Sequence, residues 1–72
     1  MQSPSLSLRI NGAQETLCAL TIADLLDAKS VDSARRGIAV AVNGAVVPRA
    51  RWPEHVLAPG DSVEIIQARQ GG

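Results

Sequence analysis

Twice in this chain an Asn-Gly pair separates two runs of strand-forming residues, at Asn11-Gly12 and at Asn43-Gly44. A two-residue hairpin turn needs positive φ at both central positions, which Asn tolerates and Gly adopts freely. The two pairs therefore predict two hairpins and a chain built around a sheet. Residues 5–10 alternate polar and apolar, the period of a strand with one buried face, and point Leu6, Leu8 and Ile10 inward. Residues 15–19 return as the second strand, with Cys18 as a small packing residue. Residues 38–43 form the strongest strand, whose small and β-branched side chains suit a central position covered on both faces. Val46 and Val47 continue after the second turn, and Pro48 ends pairing or marks an edge. A last strand over residues 62–66 places Val63 and Ile65 on one face.

Between the hairpins lies one helix. Thr21 is a good N-cap with Asp24 three residues on as its reciprocal partner. Ile22, Leu25 and Leu26 share a face at i, i+3, i+4 spacing, which predicts a helix over residues 22–29. Asp24 in its first turn and Lys29 near its last suit the helix dipole. Residues 30–37 read as a polar connection. Residues 49–57 are irregular, with one helical turn after Pro53, and Pro59-Gly60-Asp61 is a turn in which Asp61 bonds local amides. One helix on one face of a mixed sheet of four to five strands is an α+β layer. Setting the first and last strands side by side in parallel gives the ubiquitin-like β-grasp arrangement. The domain occupies residues 1–66, and residues 67–72 form a flexible C-terminal tail.

Composition narrows the function. Seventy-two residues make one domain, and 46% apolar residues suffice for its core. Seven basic and seven acidic residues balance to zero net charge, which argues against nucleic acid as a partner. Phe and Tyr are absent and Trp52 is the only aromatic residue, so stacking platforms for single strands are missing too. No apolar run approaches the roughly 20 residues that span a bilayer, and no signal peptide opens the chain, so no membrane partner is expected. One cysteine fits a reducing cytoplasm, and Cys18 with the distant His55 makes no metal site. His55 reads as a solvated loop residue.

The tail, Gln67-Ala68-Arg69-Gln70-Gly71-Gly72, carries the chemistry. Gly71 and Gly72 have no Cβ and can pass through a narrow tunnel to set a carboxylate against a nucleotide phosphate. Six extended residues reach roughly 20 Å, at about 3.3 Å each, so an active site can take the tail while the body docks outside. Gly71, Gln70 and Arg69 are the threading residues, and Arg69 can pair with a partner's acid. Arg49, Arg51 and Trp52 are candidates for partner docking. Trp52 reads either as a surface anchor or, preferably, as a plug over one end of the sheet, and loop arginines are commonly just solvated.

These segments together resemble the ThiS family, the sulfur carriers of thiamin biosynthesis. The resemblance covers nearly the whole chain. It rests on Ile10-Asn11-Gly12, on Thr21-Ile22-Ala23-Asp24-Leu25-Leu26, and on Val40-Ala41-Val42-Asn43-Gly44. It continues through Val47-Pro48-Arg49, Trp52, Leu57, Gly60-Asp61, Val63-Glu64-Ile65-Ile66 and Gly71-Gly72. It implies a ubiquitin-like β-grasp fold and a protein that is a co-substrate rather than an enzyme. A ThiF-type enzyme would adenylate the Gly72 carboxylate with ATP and Mg²⁺, both held by that partner, and this chain would bind no cofactor. A sulfur donor would then form the thiocarboxylate, and a ThiG-type thiazole synthase would accept the sulfur. Two rival readings are the small subunit of molybdopterin synthase and a modifier that conjugates to lysines. The first has apolar or proline residues before its glycines and more aromatics. A third is a plain β-grasp interaction module whose glycine pair has no chemical role.

Overall fold

The structure is a computed structural model that describes residues 5–32 and 37–67. Its elements run β1 (Leu6–Ile10), β2 (Ala13–Leu17), α1 (Ile22–Ala28), β3 (Ile38–Val42), β4 (Ala45–Val47), a 3-10 turn (Arg49–Arg51) and β5 (Ser62–Gln67). The five strands form one sheet in the order β2-β1-β5-β3-β4. Both predicted hairpins are present and antiparallel. Their turns have positive φ at both central residues, 50° and 85° at Asn11-Gly12 and 52° and 86° at Asn43-Gly44. Those angles are the type I′ pattern whose twist matches the flanking strands.

The two hairpins do not pair with each other. β5 enters between them, parallel to β1 with Ile10 opposite Val63, and antiparallel to β3 with Val40 opposite Ile65. The expected parallel pairing of first and last strands is thus observed. The central strand is β5, however, and not the run at 38–42. Ala41 is buried but Ala39 on the same side is exposed, so β3 is covered on one face and its alanines lie on the open one. Small residues are as suitable for an outer face near an edge as for a doubly covered centre.

The covered face carries Leu8, Ile10, Val40, Val42, Val47, Val63 and Ile65, against which α1 lays Ile22, Leu25 and Leu26. Three of the sheet residues and all three of the helix residues are almost fully excluded from water: Leu8, Val40, Val63, Ile22, Leu25 and Leu26. Register puts Leu17 and Glu15 on the inner face opposite Leu6 and Leu8. Cys18 is exposed, contrary to its expected packing role. It follows Leu17 by one residue at the strand end, and alternation turns it away from the core that Ala19 enters.

Every backbone donor at the start of α1 has a partner, and the partners come from two places. Thr21 adopts an extended conformation, and its Oγ1 accepts from the Asp24 amide at 3.2 Å. Asp24 Oδ2 accepts in return from the Thr21 and Leu20 amides, each at 3.2 Å. The Ile22 and Ala23 amides donate across the molecule to the carbonyls of His55 and Trp52, at 3.2 Å each. A helix end otherwise leaves these groups unpaired. Thr21→Ala removes one acceptor and is expected to cost about 1 kcal/mol. In a domain this small that lowers the melting temperature by about 4–8 °C. A thermal melt by circular dichroism checks it, and an unchanged midpoint would show the cap to be idle.

The helix ends at Ala28, with Lys29 as its C-cap. Ser30 then takes a φ of 60°. The Ser30 and Val31 amides donate to the carbonyls of Asp27 and Leu26 at 3.0 and 2.8 Å, which is the Schellman closure. Lys29 does not serve the dipole as expected. Its Nζ reaches both carboxylate oxygens of Glu15 on β2, at 2.6 and 2.8 Å.

Candidate functional site

The site suggested by the sequence is the C-terminal end of β5 and what surrounds it. Gln67, read from sequence as the first tail residue, is the last residue of β5 and pairs with Ile38. Gly72, Gly71, Gln70 and Arg69 lie outside the described residues, as does the expected flexibility of the segment they form. The strand that delivers them is the central one of the five, between β1 and β3.

On one side of this end the chain has left the ladder. β1 stops at Ile10, and beyond it the side chain of Asn11 stands where a strand would continue. Its Oδ1 accepts from the Ile65 amide at 2.8 Å and its Nδ2 donates to the Ile65 carbonyl at 3.3 Å. Beside it lies a shallow hollow of about 300 Å³ lined by residues that include Asn11, Glu15, Lys29, Ile65 and Gln67. Asn43 makes a similar contact at the other end of β5. Its backbone amide donates to the Ser62 carbonyl at 2.7 Å, and its Oδ1 accepts from the Ser62 amide at 3.0 Å. Its Nδ2 donates to Asp61 Oδ1 at 3.1 Å, while Asp61 Oδ2 accepts from the Ala58 amide at 2.8 Å. Asp61 therefore holds the turn as its sequence context predicts.

The docking candidates part company. Trp52 is no surface anchor: its side chain is 2% exposed, and Nε1 donates to the Val47 carbonyl at 2.9 Å. Irregular backbone around it hid that burial from any periodic pattern. Arg49 lies on the 3-10 turn with its guanidinium 4.8 Å from the centre of the Trp52 ring, so it stacks on the tryptophan while remaining exposed. Arg51 lines a groove of about 630 Å³ together with Val46, Val47, Glu54, His55 and Val56. The helical turn expected after Pro53 lies before it, at Arg49–Arg51. His55 is half-buried, and its carbonyl, as noted, caps α1.

Sequence reasoning missed a feature of the open face. Val46, Ala41, Ala39 and Ile66 follow one another across β4, β3 and β5, since Ala41 pairs with Val46 and Ala39 with Ile66. Val46 and Ile66 are 74% and 58% exposed. The strip reaches β5 at the residue before Gln67. Alternation was the available signal, because Ile66 must face away from Val63 and Ile65. Among the described residues no group of His, Cys, Asp and Glu side chains could hold a metal ion. No helix among them is long and apolar enough to cross a membrane.

A helix on one face of a mixed sheet, a parallel first and last strand, and a C-terminal strand at the centre define the ubiquitin-like β-grasp class. The sequence profile of the ThiS family matches residues 8–72. The sulfur carrier protein ThiS of Escherichia coli (strain K12) is 32% identical over 60 residues, which cover 83% of this chain and 88% of that protein. A crystal structure of a thiamine biosynthesis protein (ThiS) from Geobacter metallireducens superposes with a TM-score of 0.76 at 30% identity. It spans 93% of this chain and 100% of that one. A solution NMR structure of a thiamine biosynthesis protein from the same organism gives 0.77 at 30% identity, over 93% of this chain and 88% of that one. The chain belongs to the ThiS family.

Proposed function

We propose that this protein is a sulfur carrier of thiamin biosynthesis, a co-substrate acted on by partner enzymes, with Gly72 as the residue that carries sulfur. The observation that carries this reading is the family match, which spans residues 8–72 and so includes the glycine pair. The fold agrees with it: the central strand leads directly to the reacting end, so a rigid body presents a segment that others can take up.

The chemistry follows from the weakness of a carboxylate as an electrophile. On a ThiF-type partner the Gly72 carboxylate oxygen attacks the α-phosphorus of ATP, and pyrophosphate leaves. Mg²⁺ on that partner offsets the phosphate charge. Hydrosulfide released by the donor then attacks the acyl carbon, AMP leaves with the electrons of the acyl–oxygen bond, the S–H proton passes to solvent, and a thiocarboxylate remains. It is anionic and nucleophilic near neutral pH, yet covalently held. A ThiG-type thiazole synthase receives the sulfur. Gly71, Gln70 and Arg69 thread the partner's channel. The body supplies docking surface, with the strip from Val46 to Ile66 and the exposed Arg49 and Arg51 nearest to hand. ATP and Mg²⁺ stay with the partner, the whole cycle runs in the cytoplasm, and neither nucleic acid nor membrane takes part.

The test is intact mass before and after incubation with a ThiF-type enzyme, ATP, Mg²⁺ and a sulfur source. A gain equal to one oxygen replaced by sulfur, located at Gly72 by fragmentation, is the expected result. An unchanged mass with an enzyme proven active on another carrier would favour a plain interaction module.

A further inference from the structure

We propose that the Asn11 carboxamide is a positioning residue for the reacting end: it splints the last strand and so sets where and in which direction the tail leaves the body. The proposal rests on Gly72 being that reacting end, as argued above.

β5 needs the splint because its parallel partner is too short. The last paired residues are Ile10 and Val63, and at Asn11 the backbone swings into the hairpin turn. From Glu64 onward this side of β5 faces no strand among the described residues. A carboxamide offers one acceptor and one donor group in the geometry of a peptide unit. Asn11 uses both on Ile65, taking its amide hydrogen and giving one to its carbonyl. On the opposite side β3 pairs as far as Ile38 with Gln67. Past Val63, Ile65 is therefore the residue of β5 that the carboxamide holds on this side, while β3 pairs the strand on the other.

The turn alone does not account for the residue. Positive φ at Asn11 is met equally well by Gly and tolerated by Asp. Neither of those supplies an acceptor and a donor together. Asn43 supplies a matched comparison in the same molecule. It occupies the same turn position in the other hairpin and also holds β5, but at Ser62, the end remote from the tail.

Placement matters because acyl activation depends on the approach of the carboxylate to phosphorus. A displacement of about 1 Å can cost on the order of 100-fold in rate. Each residue that frays from β5 adds about 3.3 Å of slack. Docking of the body is untouched by that slack, so the loss belongs in kcat and not in KM.

The experiment compares the full chain with its N11G, N11D and N43G variants as substrates of the ThiF-type enzyme. It measures kcat and KM from pyrophosphate release, amide exchange at Ile65, and melting temperature. N11G is expected to exchange faster at the Ile65 amide and to lose about tenfold in kcat with KM within about twofold. N11D, which keeps the acceptor but loses the donor, falls between N11G and wild type. It also carries the comparison if N11G does not fold. N43G is expected to melt lower yet keep wild-type kcat. Wild-type kcat in N11G despite faster Ile65 exchange overturns the proposal, as does an equal kcat loss in N43G. A wild-type chain that the enzyme never adenylates overturns the functional reading itself, and this proposal with it.

Discussion

Deleting Gly72 is expected to abolish sulfur loading and to leave the melting curve where it was. The deletion moves the terminal carboxylate back by one residue, about 3.3 Å along an extended chain. Groups arranged around an acyl-phosphate transition state do not follow it, and a shift of even about 1 Å can cost on the order of 100-fold. Loading should therefore fall below detection. Stability should not change, because the buried core runs from Leu8 to Ile65 and the last strand ends at Gln67. Intact mass after reaction, read beside a urea titration, separates the two effects. A shortened chain that acquires sulfur at the wild-type rate would remove Gly72 from the mechanism.

Replacing Trp52 by alanine has the opposite profile: it unfolds the body. Trp52 joins the core, the end of β4 and the start of α1, the first two through its indole and the third through its backbone. Its ring packs in the core, its Nε1 holds the Val47 carbonyl at the end of β4, and its own carbonyl receives the Ala23 amide at the start of α1. Truncating a buried Trp costs about 3–5 kcal/mol. A single core in a domain of this length supplies about 3–5 kcal/mol of net stability in all. The two figures meet, so the variant should show no cooperative transition by circular dichroism. Trp52→Phe keeps most of the apolar volume but leaves the Val47 carbonyl without its donor, and should retain a weakened transition. A cooperative Trp52→Ala melt close to wild type would mean that the irregular segment is dispensable to the core.

Periodicity and turn chemistry made much of this fold legible in the sequence, and the failures have physical causes. Asn-Gly announced both hairpins because few other pairs accept positive φ twice in succession. Thr21 with Asp24 announced the helix start because the capping box is purely local. Trp52 was harder to assign, since burial in irregular backbone follows no repeat. The position of β5 at the centre of the sheet is a long-range fact, and the apolar character of residues 38–42 pointed to the wrong strand. Cys18 was misplaced by strand bounds drawn two residues late. At the candidate site, the glycine pair was visible at once, whereas the Asn11 contact with Ile65 was not. It joins residues 54 positions apart, and the demands of the turn already seemed to explain the asparagine.

The strand in the middle of the sheet is also the last to be synthesised. Until Ser62–Gln67 exists, β1–β2 and β3–β4 are separate hairpins that share no ladder. Isolated hairpins are marginal in water. A chain that has not yet added Ser62–Gln67 therefore has no continuous sheet on which its core can close. Closure of the sheet thus waits on the latest of its five strands in the order of synthesis.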